Sequence, residues 1–123
     1  MFKKKDFMIS KYERLDIPII NSNVDIWYCE DYGILEKDMC VHYNLNSKIL
    51  NLMPYSHVLM DGDNIVCVLR TNSKNTIVHE CVHIAWYLLH TIHVNIDVNN
   101  HEIQAYLVDY LYEKIVEFVF NKK

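Results

Sequence analysis

At 123 residues with 51% apolar content, the chain has the means for one domain with a small core, and its two glycines and two prolines exclude a linker-rich or low-complexity polymer. A net charge of −4 with no basic face speaks against nucleic acid as a partner, and the longest apolar stretch, Ile84 to Leu89, is far too short for a membrane span. The four cysteines, Cys29, Cys40, Cys67 and Cys81, form no C-x-x-C pair, which leaves neither a thiolate zinc site nor a thioredoxin-like motif.

The N-terminus carries Lys3-Lys4-Lys5 with no apolar segment behind it, so a signal peptide is not expected and a cytoplasmic location with reduced thiols is. The first seventy residues read mostly as strands. Asp16–Ile20 and Val24–Cys29 are β-branched and aromatic and flank the turn-forming Asn21-Ser22-Asn23. Met39–Tyr43 is a third strand candidate. Ser47–Met53 is ambiguous and admits a short helix. His57–Met60 and Ile65–Leu69 flank Asp61-Gly62-Asp63-Asn64, a hairpin signal.

From Thr71 the apolar period changes to that of a helix. Asn72-Ser73 or Asn75-Thr76 caps a helix running to about His93, apolar around nearly its whole circumference and therefore buried on most sides. After a turn from Asn95 to Asn100, a second helix runs from about His101 to Phe120 with the stripe Ile103, Tyr106, Leu107, Tyr110, Leu111, Ile115, Phe118. The outline is an α+β domain over residues 1–123: a small, mostly antiparallel sheet in residues 1–70, then two long helices in residues 71–123.

The first of those helices contains His79-Glu80-Cys81-Val82-His83, an H-E-x-x-H motif, and Glu102 follows His83 at nineteen residues. On a helix His79 and His83 share one face and can grip a single metal ion. Glu80 lies about 100° round from His79 and about 60° from His83, poorly placed as a ligand beside both but well placed as a general base. Two imidazoles and one carboxylate leave a fourth zinc position open, the catalytic rather than the structural arrangement. Glu102 is the expected third ligand and His101 its alternative; Glu102 has a competing role, since with Asn99 as N-cap it completes a capping box. His90 lies on the same stripe but two turns away. Glu80 has its own bland reading as a solvated acid in the field of the helix dipole.

These residues resemble the gluzincin branch of the zinc metallopeptidases, in which a glutamate on the following helix is the third ligand. The size of the chain and the segment Asn100–Leu107 also resemble small zincin-like proteins of phage and prophage. The resemblance covers about Thr71 to Leu111. It implies a zincin-like fold with one Zn2+ ion on His79, His83 and Glu102 and with Glu80 as base, hydrolysing a peptide or protein substrate by metal-activated water. It also shows a departure: gluzincins commonly carry an aspartate four residues after the third ligand, and here that position is Tyr106. Orientation of His79 then falls to Asp109 or a backbone carbonyl. Tyr106 is a candidate oxyanion donor or a core aromatic. If Ile65, Val66, Cys67, Val68 and Leu69 form a sheet edge beside the site, that strand can hold an extended substrate peptide by strand addition. Two other classes are open to the sequence: a zincin-like module that binds zinc or a protein partner without turnover, and a metal-free interaction domain in which the motif is coincidence.

Overall fold

In the computed structural model, which describes residues 9–46, 52–61 and 64–121, the chain builds a four-stranded mixed sheet with helices on both faces. In chain order come β1 (Lys11–Ile17), a 3-10 turn (Pro18–Ile20), β2 (Ser22–Tyr28), α1 (Tyr32–Tyr43), β3 (His57–Asp61), β4 (Asn64–Leu69), α2 (Lys74–Thr91) and α3 (His101–Phe120). The sheet order is β1-β2-β4-β3; the outer pairs are antiparallel and β2 runs parallel to β4. This is the α+β class expected, with one helix more than the sequence outline contained. None of the described helices is long and apolar enough to cross a membrane.

Two elements differ from expectation for identifiable reasons. The strand expected over Asp16–Ile20 stops at Ile17, because Pro18 has no N–H to give the ladder. The chain turns instead through Asn21, at φ 51°, a left-handed conformation that asparagine tolerates. The strand extends backwards to Lys11, pairing Lys11 with Tyr28 and Ile17 with Ser22. Met39–Tyr43 is not a strand but the end of α1. Asp31 caps that helix by accepting from the Ile34 N–H at 2.9 Å, and Asn44, at φ 57°, closes it. Within it Leu35 and Met39 recur four residues apart on the buried face. The ambiguous segment from Ser47 lies outside the described residues up to position 51; Leu52 and Met53 are irregular. The expected hairpin forms, with Asp61 opposite Asn64.

Side-chain alternation sorts the sheet into two faces. Val24, Ile26, Ile65, Cys67 and Leu69 point to α2 and α3 with Leu15 and Ile17, while Trp27, Val66 and Val68 point to α1 with Leu35 and Met39. β4 is buried over Ile65–Leu69 and hydrogen-bonded on both sides, to β2 and to β3. The peptide-binding role expected of Ile65, Val66, Cys67, Val68 and Leu69 is therefore corrected: an interior strand has no free backbone edge to offer. Next to it, among the described residues, the free rim belongs to β3. α2 and α3 pack antiparallel; the Lys74 ammonium at the start of α2 sits 5.6 Å over the ring of Phe120 at the end of α3. α2 is not buried on most sides as expected, since Val78, Val82 and Trp86 remain exposed.

A polar cluster is set into the α1 face. Asp25, 2% exposed, accepts hydrogen bonds from Arg14 Nε at 2.7 Å, from the Tyr43 hydroxyl at 2.7 Å and from the Tyr12 hydroxyl at 3.2 Å. Burial pushes its carboxyl up, but the hydrogen bonds from Arg14, Tyr43 and Tyr12 outweigh that, and its pKa lies below the ordinary carboxylate value. The unfolded chain then holds the proton more tightly than the folded one. The stabilisation is fully present above about pH 4 and is lost as the pH falls through the folded value. Asp25→Asn should lower the urea midpoint at pH 6 and flatten its fall between pH 6 and pH 3. A variant with the wild-type pH slope would remove Asp25 from the acid response.

Candidate metal centre

α2 positions the site by local geometry alone. Ser73 stands in extended conformation before the first turn, without a side-chain cap bond, and the helix runs from Lys74 to Thr91. The four-residue spacing sets His79 and His83 side by side on the exposed face. Their Nε2 atoms are 3.2 Å apart, with the rings at 70° and their centroids at 4.9 Å. Glu80 turns inward and is 4% exposed. One donor atom from each of His79, Glu80 and His83 lies within 4.8 Å of the other two, and among the described residues this is the one group of three such side chains.

The donor set could hold a metal ion. Two imidazole nitrogens held tetrahedrally at roughly 2.0–2.1 Å from one ion stand about 3.3–3.4 Å apart. The observed 3.2 Å is close to that. The same spacing also permits an N–H···N bond between the rings, which needs one donor and one acceptor tautomer. Burial pushes the Glu80 carboxyl above the ordinary carboxylate value, and the imidazoles of His79, His83 and His57 pull the other way. A buried carboxylate within 4.8 Å of two exposed imidazoles is placed to exchange a proton, unlike a solvated surface acid. Beneath it, burial and then the neighbouring Glu80 push the Cys81 thiol up to about 12, and burial pushes the Cys67 thiol well above its ordinary value, so both remain neutral thiols. All four cysteines are free.

The remaining expected site residues stand elsewhere. Glu102 is exposed in the first turn of α3 and nine residues, about 180° of helix, from the fully buried Leu111. It lines a cavity with Ile17, Pro18 and Ile20, not the histidine cluster. Tyr106, one turn on, is 69% exposed and lines the same cavity; it is not a core aromatic. His101 and Asp109 are exposed and share a groove with Val78; the partner of His79 is His83, not Asp109. The capping box with Asn99 does not form. Asn100 precedes the helix, and its side chain is engaged by the Asp97 N–H at 2.7 Å and by the Asn95 carbonyl.

Sequence reasoning missed the Asp25 cluster and the α1-facing aromatics around it. The signal in the sequence was Asp25 itself, the one charged residue in the apolar run Val24–Cys29. Compared with known proteins, the chain matches no family model, no curated sequence and no solved structure, so what the site does rests on the chemistry of His79, Glu80 and His83.

Proposed function

We infer that this chain is a zinc-dependent peptide hydrolase built on its H-E-x-x-H helix. The observation that carries the reading is the His79–His83 pair, at a spacing that suits one zinc ion, with the buried Glu80 carboxylate within 4.8 Å of both. His79 Nε2 and His83 Nε2 would hold the ion. Zinc supplies Lewis acidity, polarising a water and the carbonyl of the scissile amide. Glu80 takes a proton from the attacking water on a carboxylate oxygen and delivers it to the leaving nitrogen as the C–N bond breaks. Packing of α2 on β4 and β3 fixes Glu80 and keeps bulk water from its inner side. The outer rim of β3, His57–Asp61, takes over the strand-addition role from β4, since it carries the free backbone groups nearest to α2.

A specific observation favours a second reading. Among the described residues Glu80 is the one carboxylate grouped with the two histidines; if it serves as the third ligand, no general base is left, as suits a zinc-binding module without turnover. Purified protein loaded with zinc and then desalted should retain one equivalent per chain, and a peptide-library digest read by mass spectrometry should show cleavage that a chelator stops. Retained zinc without cleavage by the loaded protein would select the module. No retained zinc would end both readings.

A further inference from the structure

Glu102 and the histidines occupy different surfaces of one chain, and each of those surfaces carries an unfilled shape. Trp86 lies three residues beyond His83 and seven beyond His79, on the same face of α2, and is 55% exposed. An indole about half exposed in the middle of a long helix forgoes much of the apolar burial that makes tryptophan useful in a core. Val82 adds to the stripe beside it. On the other surface is the reverse shape, a cavity of about 420 Å3 between the Pro18 turn and the first turns of α3. Its walls are Ile17, Pro18, Ile20, Ile103 and Leu107 together with two tyrosines, and Glu102 is its one charged lining residue. Ligand pockets for drug-sized molecules run from about 300 to 1,000 Å3, so a single indole fits within it.

We propose that the chain forms a two-fold dimer in which Trp86 of each copy seats in this cavity of the other, and that this docking completes each metal site in trans with Glu102 of the partner subunit. The inference rests on the metal reading of His79 and His83. It supplies what that reading lacks, a third ligand. The match is chemical as well as steric. The surface with the protruding indole bears the imidazoles that would carry a cation, and the surface with the hollow bears the carboxylate that would meet it. Two-fold symmetry makes the contact reciprocal, so two copies contain two complete sites and leave neither shape unfilled. Tyr106, exposed on the cavity wall one turn from Glu102, comes to the same junction. Because the ion ties the two copies together, association depends on it.

The test is the mass of the particle in solution by light scattering, with equimolar zinc and with chelator, together with zinc retention. The chelated chain should run as a 14.7 kDa monomer and the zinc-loaded chain at twice that mass with one zinc per chain. Trp86→Ala and Glu102→Gln should each stay monomeric, with zinc affinity reduced by more than the roughly 10–100-fold of an outer-shell change. Both positions are exposed, and thermal melts of the two variants test that they fold. The decisive step mixes two deficient chains, His79→Ala/His83→Ala and Glu102→Gln. Neither alone should hold zinc tightly; the mixture should form a heterodimer with one tight zinc per two chains. A wild-type chain that holds one zinc tightly as a monomer overturns completion in trans while leaving the metal reading standing. A wild-type chain that holds no zinc overturns the metal reading itself. A zinc-dependent dimer that survives Trp86→Ala overturns the proposed seat, as does one whose mixed variants fail to complement.

Discussion

Glu80→Gln should reduce hydrolysis of any accepted peptide by about 10²–10⁴-fold while leaving zinc bound, the range expected when a positioned proton-transfer group is lost. The substitution nearly preserves shape, and Glu80 is 4% exposed, so the amide occupies the space of the carboxyl without opening a cavity. What changes is proton affinity. The carboxyl, pushed upward by burial and held down by His79, His83 and His57, can take a proton and return it; an amide cannot. Burial gives the experiment a second readout. A carboxylate under desolvation strains the fold, so the glutamine form should be as stable as wild type or more so. A surface acid serving only the helix dipole would give the opposite pair: unchanged turnover and a loss of a few tenths of a kcal/mol. Cleavage kinetics on one identified peptide, with zinc content measured in parallel, separates the two. Undiminished cleavage by the zinc-loaded variant would remove Glu80 from the chemistry.

The parts of this molecule that were legible in the sequence are those fixed within a few residues. α2 and α3 follow from their apolar period, the β3–β4 hairpin from Asp61-Gly62, and the His79, Glu80 and His83 grouping from helical spacing alone. Where tertiary context decides, the pattern misled. Met39-Cys40-Val41-His42-Tyr43 has strand-like residue types, yet Asp31 caps a helix that Leu35 and Met39 anchor to Trp27, Val66 and Val68. Ile65–Leu69 was recognisable as a strand, but strand order cannot be read from the strand itself, and parallel pairing with β2 places it inside the sheet. Glu102 shows the limit most clearly. Its distance along the chain suits a third ligand; the rotation of α3, set by burial of Leu107, Leu111 and Ile115, turns it away from the histidines of its own chain.

The second large effect concerns the metal itself. His83→Ala should abolish stoichiometric zinc and with it the zinc-dependent part of the stability. His79 and His83 supply both imidazoles of the cluster, and one imidazole with a raised carboxyl is a poor site for an ion that favours four-coordination. In the wild type, zinc at about 100 times its dissociation constant adds roughly 2.7 kcal/mol to the native state, about 10 °C in melting temperature for a chain of this size. Both histidines lie on the exposed face of α2, so alanine at 83 removes no core packing. The variant without zinc should therefore melt within about a degree of the wild type without zinc, and only the response to the ion should vanish. The two curves, with zinc and with chelator, place wild type and variant in one comparison. A His83→Ala protein that keeps its zinc and its zinc-dependent melt would move the metal away from α2 altogether. A variant that melts far lower even in chelator would mean that His83 serves the fold rather than the ion.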